Sequence, residues 1–519
     1  MNSKIKLSLK ILSILIFLFI GSSSHAQYLR TYKLADSTLS SQPSGNSVSQ
    51  ILISNGRVFL ATDNGLNNTT NGGYSIQTDF GKDGPTGVGV NAIAVEGDTI
   101  VAVVSSTTDQ GGTTYPKGEG LFASTDDGAT WTREPQSLDS LADSTIIFGK
   151  DTLKALPVTT AINNISYSVV FHKGYLYTAN FAGGLRRSSD FGKTWERVVI
   201  PPDNLDFITQ DSTDYTFQLS PVSGNLTSES NLNQRVFSLY SDGDSVLYVG
   251  TAEGIDKTTD KGYSWRKFDH QNESSPMSGN FVVSLAGQNF GTTHNIWGAT
   301  VVAEDPSETS ALSYTSDGGK SWHYILSGHF FHGMAFQNSI VYGVSDDGLF
   351  RTADLGQSSQ VITNIYDPTS KQSILSQAFY SAATNGDSIW VGSGDGTAVG
   401  IDNGTGFALN SWHVLRAYAS VAATNSTYFY PNPFSPNLDV GRIHYNVKNS
   451  GSQVTIRIYD FSMHVVRTLL QNAPRDAGET DEQWSGASDR GGLVDNGVYF
   501  YSVSVNGGTP AWGKILVVR

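Results

Sequence analysis

An eight-residue pattern, Ser/Thr-x-Asp-x-Gly-x-Ser/Thr-Trp, recurs four times, at 124–131, 188–195, 258–265 and 315–322. Each copy carries the same three marker residues: Asp126, Gly128 and Trp131; Asp190, Gly192 and Trp195; Asp260, Gly262 and Trp265; Asp317, Gly319 and Trp322. Repetition at this level makes the chain a repeat protein. Once these copies are aligned, weaker ones emerge around Asn71, Asp354 and Asp402. A small residue stands six positions before every anchor: Gly65, Gly120, Gly184, Gly254, Ala311, Gly348 and Gly396.

Upstream of each anchor lies a strand-like segment of one type, such as 57–62 (RVFLAT), 246–251 (VLYVGT) and 388–393 (SIWVGS). A second short strand and a turn precede most of these. Each unit therefore reads as four antiparallel strands, with the marker turn joining the third to the fourth. A period near fifty residues with four short strands per unit is the mark of a propeller. The expected fold is all-β: a seven-bladed β-propeller over 27–420, a linker at 421–427 and a smaller β-sandwich over 428–519. The marker turn has a structural job. Its Asp accepts backbone N–H groups, and its Gly supplies positive φ. The Trp is expected between neighbouring blades.

In a meander the hairpins alternate sides. The marker turns and the first hairpins share one face. The second hairpins and the links between units share the other, and that face holds nearly all the length variation. Segments 106–119 and 301–310 read as loop insertions, and the links 135–164 and 201–234 are long and polar. Repeat scaffolds place binding loops on such a face, so the ligand site is expected there, in units two to five.

The formal net charge is −14, with no Lys/Arg run beyond the N-terminus, which excludes a nucleic-acid backbone as partner. Lys4, Lys6 and Lys10, the apolar run 11–20 and the small residues Ser24-His25-Ala26 read as an export signal over 1–26, cleaved before Gln27. Ten apolar residues are too few to span a bilayer, and no later segment could. The absence of cysteine excludes disulfides and thiol chemistry.

The repeated turn resembles the Asp-box, or bacterial neuraminidase repeat, of sialidases, sortilin-type receptors, xyloglucan-active glycoside hydrolases and photosystem II assembly factors, over about residues 45–420. That resemblance implies boxes on the blade periphery, away from any active site. It also implies what a sialidase would need: three converging arginines, a Tyr–Glu nucleophile pair and an early Arg-Ile-Pro. The last is missing. Arg133, Arg197 and Arg266 come just after box tryptophans, where a solvated strand edge is expected. Asp109, Glu119, Glu304, Asp305 and Glu308 are the carboxylates on the loop-rich face from which a glycosidase would draw its pair. His329 and His332 lack a third ligand and read as loop or packing histidines. No pattern indicates a catalytic group, cofactor or metal centre, and none is assigned.

The C-terminal module carries Tyr430-Pro-Asn-Pro-Phe, Val454-Thr-Ile-Arg-Ile-Tyr-Asp460, Trp484-Ser-Gly486 and Asn496-Gly-Val-Tyr-Phe-Tyr501. It resembles the immunoglobulin-like domain of flagellar hook-capping proteins and the C-terminal sorting domain of type IX secretion cargo in Bacteroidetes. Phe461-Ser-Met-His464 departs from the family pattern, in which Gly follows the Tyr-Asp. The resemblance implies passage across the outer membrane by that secretion machinery. The expectation is a monomeric, secreted or surface binding protein for a glycan or a protein. A glycoside hydrolase or sialidase-like enzyme is the alternative.

Overall fold

The computed structural model describes residues 39–40, 42–219, 231–303, 305–370, 372–408, 410–417, 427–437 and 440–519. The export signal at 1–26, most of the linker and Glu304 lie outside them. Among the described residues the only helix is a single 3-10 turn, Leu232–Gln234. None of their helices is long and apolar enough to cross a membrane.

Seven antiparallel four-strand meanders follow one another. Their first strands are Val48–Ser54, Gly89–Glu96, Ser166–His172, Val236–Asp242, Phe281–Phe290, Phe331–Gln337 and Phe379–Asn385. Each first strand packs on the next, and the seventh packs back on the first. The alternation of buried residues gives each sheet two apolar faces, and each pair of adjacent sheets encloses its own core. Phe59, Ile93, Ala102 and Trp131 fill the junction of the first and second sheets. Val48, Leu60, Trp390 and Leu415 fill the junction of the seventh and first.

The box turns fold as one device. In five of them the Asp Oδ1 accepts the hydroxyl two residues earlier at 2.7–2.9 Å and the amide four residues later at 2.9–3.0 Å. Oδ2 accepts the hydroxyl four residues later at 2.6 Å. Asn71 builds the same turn with its amide. These bonds hold the carboxyls below the usual range. The hydroxyls of Thr130, Thr194 and Ser358 lead in pulling Asp126, Asp190 and Asp354 down to about 2.

The box glycine does a second job. At Gly128, Gly192 and Gly319 φ is +82°, +91° and +99°. A Cβ there would meet Phe80 in the link after the first sheet, Leu121 of the second sheet or Phe268 of the fourth, at 2.4, 2.7 and 2.5 Å. The turn thus docks main chain against its neighbour. Gly73 closes the circle: its Cβ would meet Leu415 of the seventh sheet at 2.7 Å. The Trp side chains enter the junctions as expected, although Trp195 is only half-buried.

Asp402, expected as the seventh box, is not one. Its carboxylate is fully buried and paired with Arg351 of the sixth sheet, and it accepts the Tyr342 hydroxyl at 2.6 Å. The last junction is closed by an ion pair where the other six use a glycine turn. Two further expectations change. Segment 106–119 is no loop: the second and third strands of the second sheet, Thr99–Gln110 and Thr113–Ser124, run on as one long hairpin. The long links carry strands of their own, Thr145–Phe148, Asp151–Ala155 and Gln218–Leu219, which form a small sheet over the third and fourth meanders.

The C-terminal module is a sandwich of a three-strand and a four-strand sheet around Phe429, Ile443, Ile456, Trp484, Tyr501 and Ile515. Asn432 and Phe434 bond the outer edge of its last strand, Ala511–Val517, through Lys514 and Leu516. Buried Arg442 donates to the Ser373 carbonyl at 2.9 Å, in the link between the sixth and seventh sheets. Burial first, then the nearby Arg416, brings Arg442 down to about 10.

Candidate functional site

Every first strand contains a β-bulge one or two residues after its start. A bulge re-aims the extra residue. The extra residues are Ser49, Asn91, Tyr167, Phe237, Val283, His332 and Tyr380. Because first strands begin where the links enter, these seven gather at the link-side end of the ring of first strands. Two polar members reach the next sheet: Ser49 Oγ donates to the Val90 carbonyl at 2.7 Å and Asn91 Nδ2 to that of Ser166 at 3.1 Å.

Two aromatic members, Tyr167 and Phe237, meet Phe181 and Phe281 on sheets three to five. Phe237 lies 5.4 Å from Tyr167, 6.0 Å from Phe181 and 4.5 Å from Phe281, ring centre to ring centre. The buried Arg235 guanidinium sits over Phe181; Tyr167 is 41% exposed, and Phe181, Phe237 and Phe281 are half-buried beside it. Opposite it, His332 and Tyr380 meet edge-on at 5.2 Å. His332 and His329 bond Asp346 and Asp347 of the neighbouring hairpin, each at 2.7 Å. The mouth is thus half aromatic and half polar, a surface that offers ring faces for stacking and hydroxyl, amide and imidazole groups for hydrogen bonds.

A group of titratable residues lies on the outer two strands of the fourth meander. Asp256 and Lys267 are cross-strand partners, both buried. Burial drives the Asp256 carboxyl well above its usual range. Lys267 pairs with Asp269 at 3.2 Å. Glu253, in the hairpin above them, is pushed up to about 7, first by burial and then by the Asp203 carboxylate.

The described carboxylates expected on this face serve a hairpin hydroxyl, the backbone or a salt bridge. Asp109 accepts Thr114 across the long hairpin at 2.5 Å. Glu119 accepts Lys117, which lowers it most, along with Ser106 and Arg133. Asp305 accepts Ser307, and Glu308 accepts the amides of Ala303 and Asn280. Arg197, expected on a solvated edge, is largely buried and shares Asp139 with Arg186. The opposite end of the ring, on the box side, holds a cavity of about 730 Å³ between the first strands, with Glu96 and Asp244 at its edge.

Sequence reasoning missed the mouth residues, since a bulge depends on strand register and leaves no common residue type. It also missed Glu253 and Asp256, which look like ordinary acids until burial is known.

Residues 438–509 match the FlgD Ig-like domain, so the C-terminal sandwich has an Ig-like counterpart among known domains. No curated protein matches the chain. Among solved structures, YCF48 from Cyanidioschyzon merolae is 14% identical, with 73% of this chain and 98% of that one covered at a TM-score of 0.41. The Niastella koreensis GH74 enzyme is 14% identical, covering 92% and 73% at 0.44. BamB from Moraxella catarrhalis is 12% identical, covering 79% and 97% at 0.37.

Proposed function

We propose that this chain is an exported binding protein: an Asp-box β-propeller of seven blades whose link-side mouth takes a glycan or protein ligand, followed by an Ig-like module that directs it through a type IX-like outer-membrane route. The observation that carries the binding role is the bulge-built mouth, where Tyr167, Phe181, Phe237 and Phe281 form a contiguous aromatic face. One exposed and three half-buried rings beside polar groups suit sugar stacking or an apolar side chain of a protein, and aromatic residues that become buried on binding dominate binding energies. The seven-bladed reading is supported by seven meanders and seven inter-sheet cores. The export route is supported by the N-terminal charged-then-apolar pattern and by the C-terminal motifs.

A glycan array and a peptide array probed with the mature chain test the binding role, with Phe237→Ala as the control that should abolish signal. Truncation before Tyr428 tests the route: the propeller should then stay in the periplasm, and normal surface delivery would contradict it. One observation favours the alternative of a hydrolase. Glu253 near neutral pKa has the ionisation of a general acid. A screen on chromogenic glycosides decides, since turnover lost in Glu253→Gln would replace the binding role with catalysis.

A further inference from the structure

A second site is indicated by charge, away from the mouth. A cavity of about 660 Å³ lies between the outer edge of the third sheet and the link 135–146. Arg186 and Arg197 are direct cross-strand partners on its floor. Both pair with one carboxylate, Asp139, at 2.9 and 2.6 Å, with side-chain exposures of 3%, 14% and 5% for Arg186, Arg197 and Asp139. Asp139 also accepts the Val158 amide at 2.7 Å, so its oxygens are fully used. Arg197 Nη1 is buried without a hydrogen-bond partner. At the edge, Asp143 accepts the Ser140 amide at 2.7 Å and Lys193 adds a further cation. Three cations face two carboxylates, a balance of +1 in a chain of −14.

We propose that this cavity binds a small carboxylated ligand of sugar-acid size, free or as the terminal residue of a glycan. A carboxylate answers the surplus positive charge, and charge-assisted contacts to a carboxylate are among the stronger hydrogen bonds. A neutral sugar would leave that charge unanswered, and a metal cation would add to it. The volume falls in the range of small-ligand pockets, about 300–1,000 Å³, whereas a folded protein needs a far broader surface. Trp195, Leu138 and Thr145 also line the cavity. They supply an apolar wall for a pyranose ring and a hydrogen-bonding group for its hydroxyls.

The test is calorimetric titration of the full chain with D-galacturonate, its uncharged methyl ester, trigalacturonate, succinate and an acidic hexapeptide. Galacturonate should bind at least about tenfold more tightly than the ester, and its affinity should fall between about 50 and about 500 mM salt. Tighter binding of trigalacturonate identifies a glycan end as the source, and equal binding identifies the free acid. Lys193→Glu, at an exposed position, should weaken galacturonate by about tenfold with Tm unchanged. Phe237→Ala at the mouth should leave it untouched, which separates failure here from failure of the binding role. Equal binding of acid and ester, an unaltered affinity in Lys193→Glu, or tighter binding of succinate or the peptide would each overturn the proposal.

Discussion

Gly319→Ala isolates the contact by which a box turn docks on the preceding sheet. Gly319 has φ of +99°, and an added Cβ would stand 2.5 Å from Phe268 Cζ. Holding an L-residue in the left-handed region costs about 1–2 kcal/mol. Forcing a methyl into the packed ring costs about a further 1–3 kcal/mol. The variant should therefore lose about 2–5 kcal/mol. Gly97→Ala is the matched control, since φ is +58° and nothing lies within 4 Å of its Cβ. It should lose only the backbone part. Combining Gly319→Ala with Phe268→Leu should recover part of the packing loss, which gives a coupling energy between turn and neighbour. Urea unfolding followed by tryptophan fluorescence reads this directly, because Trp322 stands 6.2 Å from Phe268 in the same junction. Equal losses for the two glycine variants would refute the docking role and leave the box a purely local turn.

Asp402→Ala should destabilise by about 3–5 kcal/mol by leaving the buried Arg351 guanidinium without its partner. The double variant Asp402→Leu/Arg351→Met should lie closer to wild type in the same urea assay. Glu253 is raised from 4.5 to about 7 in the fold, so the folded state holds the extra proton. Its ionisation therefore weakens the fold as pH rises from about 4.5 through about 7, and Glu253→Gln should flatten that part of a Tm–pH profile. Asp126, Asp190 and Asp354 are displaced the other way, to about 2. Their contribution is complete above the ordinary 3.8 and is lost as pH falls through about 2, so far-UV circular dichroism should be unchanged from pH 7 to pH 4.

The box was legible because all its partners are local. The hydroxyl, carboxylate, glycine and tryptophan of one turn fit within eight residues, and repetition identifies them. Asp402 was not, because it lies in a similar string but its partners Tyr342 and Arg351 lie 60 and 51 residues upstream. Arg197 misled for the same reason: Asp139 is 58 residues away. The long hairpin had a readable signal, the Gly-Gly pair at 111–112 between Thr-rich segments. The strand Gly478–Trp484 did not, being almost wholly polar. The mouth was hidden most completely. Ser49, Tyr167, Val283 and His332 share no chemistry, and only their common place in the strand register brings them together. The sequence points to the loop insertions of the loop-rich face, whereas the structure gathers aromatic rings on the first strands at that side, which no loop composition signals.

The binding role of that aromatic centre is the central claim. It is tested most directly by probing one glycan and peptide array with wild type, Phe237→Ala and the box variant Asp190→Asn. The expected result is a discrete ligand signal for wild type and Asp190→Asn and its loss in folded Phe237→Ala. Signal retained in Phe237→Ala, or lost only in the box variant, would contradict it.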